Sequence, residues 1–156
     1  MIVRMAQSRT FPVPVAEAFD QLLPMPLSDL FAGWYGPIPP VRATIQDGVW
    51  GTPGEQRTVV FVGPGSVQED LVKVDRPHEF RYELTRPTGP LALLIARVHG
   101  RWAFAPAGTG TRITWSWDVE ARNRMAHLAM PVFARLWRGY ARAALDRLEG
   151  LLQDAP

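Results

Sequence analysis

Residues 98–117 read VHGRWAFAPAGTGTRITWSW: two runs rich in aromatic and β-branched residues flank the breaker cluster Pro106-Ala107-Gly108-Thr109-Gly110. That pattern is a β-hairpin. A four-residue loop, Pro106–Thr109, pairs Phe104 with Thr111, Trp102 with Ile113, Gly100 with Trp115 and Val98 with Trp117. Side chains alternate along a strand, so these residues share one face. The other face receives Arg97, His99, Arg101, Arg112, Thr114, Ser116 and Asp118. One side of this sheet is therefore strongly aromatic and the other charged. Gly100 leaves space opposite Trp115.

The same logic extends upstream. A three-residue loop, Gly63–Gly65, pairs Phe61 with Val67, Val59 with Glu69 and Arg57 with Leu71. Arg57 and Glu69 then lie diagonally across one face, within reach of a salt bridge. A four-residue loop, Asp75–His78, sets Leu71 opposite Tyr82 and Glu69 opposite Leu84. The inward set becomes Arg57, Val59, Phe61, Glu69, Leu71, Phe80, Tyr82, Leu84, Val98, Trp102, Phe104, Ile113, Trp115 and Trp117.

Around this core of hairpins the chain is simply ordered. Ile2–Val13 reads as a strand ended by Pro12 and Pro14, Val15–Leu23 as a short helix, and Leu27–Phe31 as one further helical turn. Gly33–Pro40 is a breaker-rich loop carrying Trp34 and Tyr35. From Val41 to Glu120, Gly/Pro turns delimit about six short-connected, hence antiparallel, strands. Apolar residues at 125, 128, 129, 132, 133, 136, 137, 140, 141, 144, 145, 148, 151 and 152 then form a single helical stripe. Pro131 is expected in the first turn, where proline is tolerated, with 125–130 as a separate lead-in. A helix from Pro131 to Leu152 is about 33 Å long. Val132, Phe133, Leu136, Trp137 and Tyr140 are expected to face the sheet.

Segregated strands and helices mean an α+β fold, expected as one domain over residues 1–156. One helix about 10 Å across cannot cover a curved seven-stranded sheet. The uncovered inner surface is either plugged by rings or left as a cavity. Composition sharpens that alternative: 156 residues carry six Trp, seven Phe and three Tyr.

The chain has no cysteine, which removes disulfides, thiolate nucleophiles and Cys-type zinc or iron–sulfur sites. His78, His99 and His127 lack metal-ligand spacing, so no metal or cofactor is expected. The basic residues are sixteen Arg and one Lys against fifteen acids, a net charge of +2 that does not call for nucleic acid. Arg135, Arg138 and Arg142 read as a solvated helix face. The start has no apolar signal region, and the longest apolar run, Leu91–Ala96, falls far short of the roughly 20 residues that span a bilayer. A cytoplasmic protein without integral membrane contact is expected; a homodimer is left open.

Three stretches carry a resemblance over nearly the whole chain: Phe11–Phe19, the strand-to-helix passage; Gln68–Tyr82, a hairpin around Asp75-Arg76-Pro77; and Gly108–Trp115 with the long helix that follows. Together they resemble the START-related helix-grip superfamily, specifically the polyketide cyclase/dehydrase and lipid-transport-like proteins of actinobacterial type. The resemblance implies a seven-stranded antiparallel sheet wrapped around the C-terminal helix, two short helices after the first strand, and a cavity between sheet and helix. It implies a hydrophobic small molecule, lipid or polyketide as ligand. The family has no universal catalytic motif, so no catalytic residue is carried over.

The residues expected at the ligand are Arg57, Phe61, Glu69, Tyr82, Trp102, Trp115, Trp117, Phe133, Trp137 and Tyr140, with Trp34 and Tyr35 at the cavity mouth. Arg57 and Glu69 either orient a polar group of the ligand or form a plain cross-strand pair. Tyr82 and Tyr140 are either hydrogen-bond donors and acids or amphipathic lining. Trp34 and Tyr35 read equally as a lid or as rings tucked onto the core. The functional expectation is non-catalytic binding; the alternative is a polyketide cyclase, aromatase or dehydratase.

Overall fold

The computed structural model describes residues 2–153; Met1 and 154–156, the ends of the expected domain span, lie outside the described residues. The order is β1 (Ile2–Phe11), α1 (Val15–Leu22), α2 (Leu27–Leu30), β2 (Val41–Ile45), β3 (Gln56–Phe61), β4 (Ser66–Asp75), β5 (Glu79–Thr88), α3 (Leu91–Leu94), β6 (Ile95–Ala107), β7 (Gly110–Ala121) and α4 (Arg124–Gln153). All seven strands join one antiparallel sheet in the order β1-β7-β6-β5-β4-β3-β2. Only the β1–β7 closure is non-sequential. It is tied at the β1–α1 passage, where the Thr111 hydroxyl donates to the Val13 carbonyl at 2.6 Å. No helix among the described residues is long and apolar enough to cross a membrane.

Two expected registers are displaced by two residues. In the last hairpin, Trp102 lies opposite Trp115, Gly100 opposite Trp117 and Phe104 opposite Ile113, because the loop is the tighter Gly108-Thr109. In the β3–β4 hairpin, Arg57 lies directly opposite Glu69 and Val59 opposite Val67. That loop has the expected three residues but is centred one residue earlier, over 62–64, and closes through the Phe61 N–H to the Gly65 carbonyl. A two-residue slip preserves the face of every side chain, so the inward set survives both errors. Leu71 does lie opposite Tyr82 and Glu69 opposite Leu84, and an irregularity between Leu71 and Lys73 shifts the pairing nearer the turn.

The space expected beside Gly100 is not empty. A Cβ built there would come within 2.1 Å of the Tyr82 ring. Tyr82 lies opposite Gly100 on β5, so the absent side chain lets that ring lean across β6.

Helix α4 is longer than expected, thirty residues or about 45 Å, and Pro131 lies inside it. The signal for the earlier start is Asn123: its side chain accepts from the Ala126 N–H at 2.9 Å, capping a helix that begins before the proline. From Met130 onward the apolar stripe is buried against the sheet by Met130, Phe133, Trp137, Ala141, Leu145 and Leu148. Val132 does not face the sheet as expected: it is 66% exposed, together with Leu128 and Met125 one and two turns earlier. Helix α3 is a further departure. The apolar run Leu91–Leu94 stands inside the region read as strands, yet it turns helically after Pro90 and contacts α4.

Candidate functional site

A cavity of about 470 Å³ lies between the sheet and α4. That is within the range of small-molecule sites. Its wall includes Arg57, Phe61, Glu69, Tyr82, Trp102, Trp115, Trp117, Phe133, Trp137 and Tyr140, with Trp34 at its edge. Trp34 and Val132 both touch the cavity and stand about 60% exposed or more, which places them at its rim. Tyr35 is not part of the wall. It packs on α4, where a Cβ on Gly139 would come within 2.1 Å of its ring.

The aromatic surplus both packs and surrounds. Trp102 stacks on Trp115 with centroids 5.3 Å apart, and Trp115 and Trp117 contact Trp137 of α4 at 4.7 and 5.7 Å. This cluster closes one side of the chamber, and the remaining volume stays open. Five of the six tryptophans line it: Trp34, Trp102, Trp115, Trp117 and Trp137.

The sixth, Trp50, supports the charged pair in the wall. The Arg57 guanidinium lies 3.9 Å from its ring centroid, a cation–π contact. Arg57 Nε donates to Glu69 Oε1 at 2.8 Å, and both side chains are about 5% exposed. Burial pushes the Glu69 carboxyl above its ordinary value, against the opposing pull of Arg57. Trp50 escaped the sequence reading because it stands alone in a turn, Gly48-Val49-Trp50-Gly51, with no periodicity to betray its burial. Phe31 escaped likewise: it ends α2 and stacks on Tyr140 at 5.5 Å.

The two tyrosines differ. Tyr140 donates its hydroxyl hydrogen to the Pro39 carbonyl at 3.0 Å, tying the Trp34 loop to α4. Tyr82 accepts at its oxygen from two indoles, Trp115 Nε1 at 2.7 Å and Trp117 Nε1 at 3.0 Å. Burial raises the phenol pKa of both above its ordinary value, so both stay neutral.

An antiparallel sheet gripping one long helix around a lined chamber defines the helix-grip class. The chain belongs to the polyketide cyclase / dehydrase and lipid transport family, whose model matches residues 3–153. No curated protein matches it in sequence. Among solved structures it is similar to norcoclaurine synthase from Thalictrum flavum in complex with dopamine and hydroxybenzaldehyde, with a TM-score of 0.74 at 16% identity over 100% of this chain and 89% of that one. TTHA0849 from Thermus thermophilus gives 0.71 at 17% identity, over 97% of each chain. Ara h 8.0201 gives 0.67 at 15% identity, over 99% of this chain and 100% of that one. At these identities the likeness shows the fold alone.

Proposed function

We propose that the protein binds a hydrophobic small molecule or lipid in the chamber between sheet and α4, without transforming it. The observation that carries this reading is the chamber itself. It is walled by rings and aliphatic side chains, and its two charged lining residues, Arg57 and Glu69, pair with each other. Such a wall rewards burial of apolar surface at about 25 cal/mol per Å² and offers no nucleophile primed by a base. Family membership supports the same reading. Native mass spectrometry of the purified protein, with thermal-shift measurements against neutral lipids and polycyclic aromatics, tests it. A stoichiometric adduct and a raised Tm are expected; the bare mass and an unmoved Tm with every compound would overturn it.

A second reading, a polyketide cyclase, aromatase or dehydratase, is favoured by one feature. A carboxyl raised by burial, Glu69, shares a wall with a neutral phenol, Tyr82. Carboxyls so shifted serve as general acids and bases. Turnover of a poly-β-ketone mimic that is lost in Glu69→Gln would select this reading over pure binding.

A further inference from the structure

Tyr82 has an unusual hydrogen-bond balance. A phenol oxygen offers one O–H hydrogen and a limited capacity to accept. Here two indole N–H groups, from Trp115 and Trp117, fill that acceptor capacity. Among the described residues the Tyr82 hydroxyl donates no hydrogen bond, although the Glu69 charge lies near enough to act on the phenol. Both indoles come from β7, and Tyr82 reaches them by leaning from β5 across β6 over Gly100. The hydrogen must therefore point away from β7, and Tyr82 is a lining residue of the chamber. A buried donor left unmade is costly, and it persists where a partner is supplied by something else.

The surroundings restrict that partner. Rings surround the site: Trp115 and Trp117 donate to the phenol, Trp102 stacks on Trp115, and Trp137 of α4 packs on Trp117. The Arg57 charge is already met by Glu69 at 2.8 Å, so no free cation awaits an anionic ligand. Resting on the binding reading above, we infer that Tyr82 is a specificity-determining donor of the chamber, beside the Trp137 indole N–H that is unpartnered among the described residues, and selects neutral, ring-bearing molecules with a carbonyl oxygen placed against its O–H. The two indoles hold the phenol in one orientation before the ligand arrives, so little ordering is left to oppose the bond.

The test compares 9-fluorenone with fluorene, which share a carbon frame and differ by the carbonyl oxygen. The wild-type protein is expected to bind fluorenone at least about tenfold more tightly, the worth of one buried hydrogen bond. In Tyr82→Phe the ratio is expected to fall to about one while fluorene still binds. Because that variant also strands two indole N–H groups, a second readout uses the native fold. The infrared carbonyl stretch of bound fluorenone should lie below its value in alkane, and should fall further in protein carrying 3-fluorotyrosine, a stronger donor. Of the other two tyrosines, Tyr140 is committed to Pro39 and Tyr35 lies outside the chamber wall, so that response reports Tyr82. Equal binding of both compounds, a stretch unmoved by fluorotyrosine, or a preference retained in Tyr82→Phe would overturn the role of Tyr82 and leave the binding reading standing. Failure of both compounds to bind would overturn the two together.

Discussion

Two carboxylates of the β4–β5 hairpin sit beside arginines and are driven in opposite directions. Glu69, on the concave face, pairs with Arg57 inside the chamber wall, and its pKa is raised because burial outweighs the arginine. Glu79, on the convex face, accepts from Arg81 and, at 2.9 Å, from Arg101, with Lys73 at 3.9 Å; its pKa is lowered to about 2, chiefly by the Arg81 hydrogen bond. The same sheet thus runs two electrostatic regimes, one on each face. On the convex face the buried carboxylate meets several cations that are themselves solvent-exposed. On the concave face the carboxylate has one cationic partner to offset the loss of solvent, and the wall around the pair is apolar with a few fixed polar atoms.

The largest expected effect comes from breaking the concave pair. Arg57→Met strands a buried carboxylate and should cost about 3–5 kcal/mol in urea unfolding at neutral pH. Combining it with Glu69→Leu should recover most of that loss, since an apolar pair suits this wall. The sign of the pH dependence follows. A carboxyl raised in the fold holds its proton better folded than unfolded, so the stranded-charge cost should shrink as pH falls through the raised value. A cost independent of pH would contradict the account.

Next, Gly100→Ala drives a methyl into the Tyr82 ring and should cost about 1–3 kcal/mol, with the near-ultraviolet circular dichroism of the tryptophan cluster altered. A silent substitution would mean the ring does not lean over β6.

On the convex face Glu79→Gln should cost about 1–2 kcal/mol, because the carboxylate is buried but its cationic partners are solvated. Its pH signature is the reverse of the concave one. A depressed carboxyl stabilises the fold above its unfolded value of 4.5 and loses that contribution as pH falls toward about 2. The wild-type stability curve over that window should therefore flatten in Glu79→Gln. Smallest of all, Arg4→Ala, which loses a 3.7 Å exposed pair with Asp118, should stay within about 0.5 kcal/mol.

The contrast between faces was legible in the sequence because strand alternation has a period of two. The last hairpin and the β3–β4 hairpin are each slipped by two residues from the expected pairing, yet Trp102, Trp115, Arg57 and Glu69 keep their faces. What period and turn chemistry cannot convey is contact between distant segments. Trp50 reaches Arg57 from an irregular turn, and Tyr35 reaches Gly139 from a loop. The Tyr82–Trp115–Trp117 bonding depends on a ring leaning over the missing side chain of Gly100, a relation no single strand encodes. The helix start departs from expectation for a different reason. Pro131 is a loud local signal, and Asn123 a quiet one that tertiary packing along α4 favours. Helix α3 was hidden because a four-residue apolar run serves strand and helix alike.

The central claim is that the chamber admits an apolar guest among its tryptophans. Titration of the wild-type protein with the neutral probe N-phenyl-1-naphthylamine, followed by energy transfer from tryptophan, tests it most directly. The account predicts saturable, one-to-one transfer with quenching of the indole emission, displaced by neutral aromatic competitors. Unchanged tryptophan emission throughout the titration would contradict it.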